Sequence, residues 1–158
     1  MYSSLHPSGA LDVMENLIDR SFKLPVVTAG ELSEMLEKGE QPVLFDTRTK
    51  EEYDKSHIEN ALRVDPHTSS EDFLSRHTQQ IRGKTVVFYC SVGQRSSDFL
   101  NRVHQACKDA GAIDCYNLRG GIFRWYNEGY PVVNDKGETD DIHRYNSLWG
   151  MMIEKRKT

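Results

Sequence analysis

The chain has 158 residues, 37% of them hydrophobic and 28% charged, with a formal net charge of −4. That size and balance suit one globular domain with a proper core and short appendages. The small negative charge excludes a broad basic footprint for nucleic acid, and no apolar run approaches the roughly 18 residues of a membrane span.

The start lacks the basic stretch and continuous apolar core of a signal peptide. Three widely spaced cysteines make neither a disulfide framework nor a zinc site, and a reducing cytoplasm is the expected compartment. Residues 1–10 are small and polar, with Pro7 and Gly9, and are expected to be loosely ordered. Leu11, Met14, Leu17, Ile18 and Phe22 then recur at helical spacing, with Pro25 beyond. Residues 1–24 are therefore a helical extension, expected to pack on the domain; a dimer contact or partner-docking helix is the alternative. Val26-Val27 is a short strand. Thr28 is a fitting N-cap with Glu31 in capping-box position, Leu32, Met35 and Leu36 give a buried helix face, and Gly39 ends it. The run Pro42-Val-Leu-Phe-Asp46 is the next strand. Arg48 and Glu52 are four apart and are expected to pair on a short helix over 49–54. His57 precedes a strand around 62–64, and a structural role near the strand start is favoured over that of general base. A helix over 69–80 follows, with Phe73, Leu74, His77 and Ile81 on one side, and Gly83 closes it. His67 and His77 have no metal-ligand spacing.

The stretch Thr85-Val-Val-Phe-Tyr-Cys90-Ser-Val-Gly-Gln-Arg95-Ser organises the rest. Residues 85–89 are β-branched or aromatic and read as a buried parallel strand. After Arg95 the period changes: Phe99, Val103, Ala106 and Ala110 mark a helix. Cys90 thus sits where a strand ends and a helix starts, the edge at which open α/β sheets bind ligands. If the residues 91–94 curl around the sulfur, their N–H groups and those of the helix start form a positive cradle that favours the thiolate, the nucleophilic form of cysteine. Arg95 is a permanent cation able to hold an anionic substrate by two parallel hydrogen bonds. Asp46 reaches the same edge and is placed to anchor the loop or Arg95. A strand over 113–116 leads to Leu118-Arg-Gly120-Gly121, which should border the loop, and a helix over 122–127 supplies Phe123 and Trp125 to the core. Cys107 and Cys115 read as small core residues, with a resolving cysteine for Cys90 as the alternative. Residues 134–141 read as a charged linker. Tyr145, Leu148, Trp149, Met152 and Ile153 give residues 142–153 an amphipathic pattern expected to pack on the parent domain, with a partner surface as the alternative. Alternating strands and helices with short connections call for an α/β domain, its sheet mainly parallel and helices on both faces.

The loop Cys90-Ser91-Val92-Gly93-Gln94-Arg95-Ser96 resembles the active-site loop of the rhodanese (sulfurtransferase) family. Asp46-Thr-Arg48 with Glu52-Tyr53, then His57-Ile58 and Ala61, then Leu118-Arg-Gly120-Gly121 with Trp125, Gly129, Pro131 and Val132, resemble that family's other stretches in order. Ser56, Glu59 and Asn60 depart from the family's usual Gly-His-Ile-Pro-Gly-Ala, so that turn must be reached another way. The resemblance implies a rhodanese-like five-stranded parallel sheet flanked by helices on both faces, over 25–133, with residues 134–158 as linker and C-terminal segment. It implies Cys90 and Arg95 as catalytic residues, Ser91, Val92, Gly93, Gln94 and Ser96 as the substrate-binding loop, and Asp46, Arg48, Glu52 and His57 in support. No cofactor or metal is expected. The expected reaction moves a sulfane sulfur from a small anionic donor such as thiosulfate to cyanide or a cellular thiol, through a persulfide on Cys90. A sulfur carrier or sensor that works with a protein donor or acceptor is the alternative, with no nucleic acid or membrane as partner. Related phosphatases and arsenate reductases have five residues between cysteine and arginine; this chain has four, a ring better matched to one sulfur than to a tetrahedral oxyanion.

Overall fold

The computed structural model describes residues 7–154 and residue 156; of the expected loose start over 1–10, residues 1–6 lie outside them and residues 7–10 are helical. Five parallel strands form one sheet: β1 (Val26–Val27), β2 (Val43–Asp46), β3 (Leu62–Arg63), β4 (Thr85–Tyr89) and β5 (Asp114–Leu118). Their order is β1-β5-β4-β2-β3, so β4 is central. Register places Asp46 beside Tyr89 on one side and Asn117 beside Phe88 on the other. Cys90, the next residue, therefore emerges at the middle of the carboxyl edge.

Side chains of a strand alternate between faces, and β4 shows both. Val87 and Tyr89 pack with Leu11 and Ile18 of α1 (Pro7–Phe22), Leu32 of α2 (Ala29–Glu37) and Ile122 and Phe123 of α6 (Gly121–Asn127). Val86 and Phe88 pack with Phe73 and Ile81 of α4 (Ser70–Ile81) and Phe99, Leu100 and Val103 of α5 (Gln94–Asp109). Both faces being covered explains why the strand is apolar throughout rather than alternating. On the α4/α5 side Phe45, Phe73, Phe88 and Phe99 interlock with ring centroids between 5.0 and 5.7 Å apart. No described helix is long and apolar enough to cross a membrane.

Capping signals read in the sequence are realised at Thr28, where Glu31 and Thr28 bond each other's backbone N–H. A second capping box at Thr49–Glu52 opens α3 (Lys50–Lys55). It places Arg48 ahead of the helix. The turn that lacks the family's glycines is reached by Asn60, which takes the left-handed conformation at φ 69° that asparagine tolerates best after glycine.

Three expectations change. Helix α1 begins at Pro7, since proline is accepted in a first turn whose N–H groups have no partners. It docks by Leu11 and Ile18, while Leu17 faces outward, as does Val13. The stretch 134–141 is not a plain linker. It turns back as a hairpin of β6 (Val132–Asn134) and β7 (Gly137–Thr139), because Asn134 Oδ1 accepts from Lys136 N at 2.9 Å and Gly137 supplies φ 109°. Residues 142–153 contain only one short helix, α7 (Ser147–Gly150); the side chain of Leu148 is outside the described set. The segment nonetheless packs on the domain, with Ile142, Met152 and Ile153 buried in the α1/α2/α6 cluster. Asn127 fastens it by bonds to Met152 O and from Glu154 N, both at 2.8 Å.

Candidate active site

After β4 the chain meets the start of α6. Ile122 N–H donates to Cys90 O at 2.9 Å and Phe123 N–H to Ser91 O at 3.0 Å. These are N–H groups that a helix start leaves unpaired. With those carbonyls drawn toward α6, the loop closes the other way. Gly93 N–H donates to Cys90 Sγ at 3.2 Å, and Ser96 N–H and Oγ lie 3.4 Å from it. Two glycines are required. Gly93 has φ 106°, a region side chains resist. A Cβ on Gly121 would sit 2.4 Å from Ser91 O and 2.5 Å from Cys90 O.

Within the loop, Val92 is fully buried and anchors it in the core, whereas Gln94 is exposed at the first position of α5. Ser91 Oγ donates to Glu52 Oε2 at 3.1 Å and accepts from Arg95 Nη2 at 2.9 Å. The Arg95 fork meets Glu52, Nη1 to Oε1 at 2.7 Å and Nη2 to Oε2 at 2.8 Å. Both terminal nitrogens of Arg95 are thus occupied by a carboxylate of the protein, so the parallel bonds expected for a substrate anion are made to Glu52. Burial would raise the Glu52 pKa, but the hydrogen bonds and charge of Arg95, with the Thr49 amide and the Arg48 charge, hold it at about 2. Burial would lower that of Arg95; Glu52 and the neighbouring Cys90 raise it instead. The other flank of the Arg95 guanidinium is covered by the Tyr145 ring, 4.5 Å away.

The expected Arg48–Glu52 pair is replaced. Arg48 lies outside α3 and folds back on Asp46, Nε to Oδ1 at 2.9 Å and Nη2 to Oδ2 at 2.7 Å, with Nη2 also donating to Ser56 O at 2.7 Å. Both side chains of this pair are fully buried. Burial works against the charge on Arg48, but the Asp46 carboxylate outweighs it and raises its pKa. Asp46 accordingly anchors neither the loop nor Arg95. His57 Nδ1 meets Tyr53 O at 2.9 Å, its ring stacks on Tyr53 at 3.8 Å, and its backbone bridges to Val133. It ties α3 to β6 and is not among the contacts of the sulfur.

One site residue has no sequence signal beyond being a polar residue in a buried strand. Asn117 of β5 is 2% exposed, and its Oδ1 accepts from Ser96 Oγ at 2.6 Å. It aims the hydroxyl that borders the sulfur. Cys107 and Cys115 contact each other in the α4/α5 cluster, and their shared hydrogen bond raises the pKa of Cys107 and lowers that of Cys115. Cys107 is about 20 Å along α5 from its first residue at 1.5 Å per residue, out of disulfide reach of Cys90.

Cys90 is itself fully buried. Beside the loop a cleft of about 610 Å³ opens, lined by His67, Gln94, Arg95, Arg102, Tyr145 and Trp149 among others. A larger hollow of about 720 Å³ lies against Pro42, Ile58 and Trp125, and no residue of the loop 90–96 lines it.

Comparison with known proteins agrees with this geometry. Residues 28–128 match the family model described as Rhodanese-like domain. A tRNA uridine(34) hydroxylase of Bordetella avium is 32% identical over 113 residues, covering 67% of this chain and 45% of that protein. A probable adenylyltransferase/sulfurtransferase of Mycobacterium tuberculosis is 33% identical over 106 residues, covering 66% of this chain and 25% of that protein. The chain thus spans less than half the length of these relatives. Among solved structures, a Bacillus halodurans protein superposes with TM-score 0.59 at 22% identity, covering 80% of this chain and 84% of that one. A thiosulfate sulfurtransferase of Pseudomonas aeruginosa superposes with TM-score 0.57 at 17% identity over 96% of this chain and 27% of that one, a likeness of fold.

Proposed function

The chain belongs to the rhodanese-like domain family, a family of sulfur-transfer domains, and on that premise we propose that it carries a sulfane sulfur on Cys90. The Cys90 thiolate attacks the outer sulfur of a donor such as thiosulfate. One S–S bond forms, the S–S bond of thiosulfate breaks, and its electron pair leaves with sulfite. The charge now sits on the terminal sulfur of a Cys90 persulfide. A thiophilic acceptor, cyanide or a cellular thiol, attacks that sulfur, and the bonding pair returns to Cys90. Electrons balance between the sulfur and its acceptor without an external oxidant or reductant, so no cofactor is called for. The two half-reactions make this covalent, ping-pong catalysis.

The observation that carries the reading is the pair of amides, Gly93 and Ser96, directed at Cys90 Sγ. Preorganised dipoles stabilise an anion without having to reorient during the reaction. Arg95 supports this at one remove, by holding Ser91 and Glu52 beside the loop. Its engaged fork also argues against a phosphatase, in which that fork would have to grip phosphoryl oxygens.

A second reading has an observation in its favour. Cys90 is fully buried, and a persulfide shielded in this way suits a sulfur carrier or sensor that hands its sulfur to a protein partner. Three free cysteines in the described residues suit a reducing compartment such as the cytoplasm.

Intact-mass analysis after exposure to thiosulfate tests the proposal. The expected result is a gain of one sulfur atom that cyanide removes and that a Cys90→Ala variant never shows. Absence of that gain in the unaltered protein, with thiosulfate and with mercaptopyruvate alike, overturns it. A stable gain with almost no turnover favours the carrier.

A further inference from the structure

Helix α1 lies outside the region matched by the family model. Its Glu15 is only 3% exposed, and a carboxylate is almost never so buried unless paired. Its partners are two arginines that bracket the paired glycines. Arg119 Nη1 donates to Oε1 at 3.1 Å, Arg124 Nη2 to Oε1 at 3.0 Å, and Arg124 Nε to Oε2 at 3.0 Å. Between them the carboxylate fills the space over Gly120. A Cβ there would stand 2.1 Å from Glu15 Oε2.

The residues so bracketed set the geometry of the sulfur. Gly120 and Gly121 are both left-handed, at φ 79° and 58°. Two such glycines in succession have no side chains to hold them, and glycine is the most conformationally free residue. Their geometry aims the Ile122 and Phe123 amides at the carbonyls of Cys90 and Ser91. Those carbonyls in turn decide which way the loop amides point. The chain of contacts is therefore short: Glu15, the Arg119–Arg124 corner, two amide-to-carbonyl bonds, then the cradle.

We propose that Glu15 is a positioning residue for Cys90, an active-site support contributed by the N-terminal extension rather than by the family core. The amide of a Glu15→Gln side chain turns a donor toward guanidinium groups that themselves only donate. It also leaves Arg119 and Arg124, now without their shared counter-charge, to repel each other across the corner. Each arginine keeps another carboxylate, Asp19 for Arg119 and Asp12 for Arg124. The variant therefore folds, and the loss falls on geometry.

The inference rests on Cys90 being the nucleophile, so its test begins with a readout that needs no sulfur transfer. Under native conditions Cys90 is alkylated with iodoacetamide and followed by peptide mass, in the unaltered protein, in Glu15→Gln, in Arg124→Lys and in Leu17→Ala on the exposed side of α1. Misplacing reacting groups by about 1 Å costs roughly a hundredfold, and a softened corner is expected to cost about tenfold in the Cys90 rate. Glu15→Gln and Arg124→Lys should show that slowing at a temperature where both remain folded by circular dichroism, while Leu17→Ala alkylates as the parent does. Where sulfur loading is measurable, its maximal rate should fall with the thiosulfate concentration at half-saturation unchanged, because Glu15 touches no donor. Cys90 rates in both clamp variants that equal or exceed the parent's overturn the inference, whether or not stability drops. A parent protein that alkylates at Cys90 but takes up no sulfur overturns the proposed function alone.

Discussion

Cys90 depends on neighbours that are mostly main chain, so few single side chains can replace its environment. A Cys90→Ser variant keeps the loop but lacks a sulfur able to bond another. It is expected to fold with an unchanged melting temperature and to acquire no sulfur from thiosulfate, as read by intact mass. Glu52 offers a separate, pH-based test. Its folded-state pKa of about 2 lies below the ordinary 4.5. The unfolded chain therefore binds the proton first as pH falls, and stability is lost between about pH 4.5 and 2. The side chain is 2% exposed, so solvent screening removes little, and the contribution at neutral pH is about 3 kcal/mol. Urea unfolding of the parent and Glu52→Gln should differ by about that amount at pH 6 and converge near pH 2. A gap that stays constant across this range would place the stabilisation elsewhere.

At the scale of elements, the start of α6 is the support for the loop that bears the nucleophile. Gly121→Ala tests this directly. Its Cβ would enter the carbonyls of Cys90 and Ser91, and its φ of 58° already disfavours a side chain. Gly39→Ala is the matched comparison, with φ 72° but nothing within 4 Å. Backbone strain alone should cost about 1–2 kcal/mol at Gly39. Gly121→Ala should cost more than that and should also slow Cys90 alkylation. Equal losses of stability, with no change in the reactivity of Cys90, would show that α6 does not hold the loop.

On the scale of the whole molecule, both extensions are part of the fold. Leu11 and Ile18 of α1 are buried in the same cluster as Ile122 and Phe123. Burial of two such side chains is worth about 1.5–3 kcal/mol each. Removing residues 1–22 should therefore lower the melting temperature by on the order of 10 °C, followed by circular dichroism. An unchanged melting temperature would mean that α1 only rests on the surface. The C-terminal segment reaches the site as well, placing Tyr145 on Arg95.

The sequence by itself determined where along the chain the chemistry lies. Features that act through neighbours along the chain were readable: the apolar β4 run, the glycine-bearing loop after Cys90, the Thr28–Glu31 cap and the ordered motifs that carry the family likeness. Each depends on spacings of a few residues, and backbone geometry converts spacing into shape. Partner choice was decided only in three dimensions. Arg95 grips Glu52, 43 residues away in sequence, Arg48 turns to Asp46, Asn117 supports Ser96, and Glu15 reaches Arg119 and Arg124. Charged and polar side chains are long and have several candidate partners at similar sequence spacing. Which one each meets follows from how the strands order and the helices dock, because burial leaves no water to serve as the alternative partner.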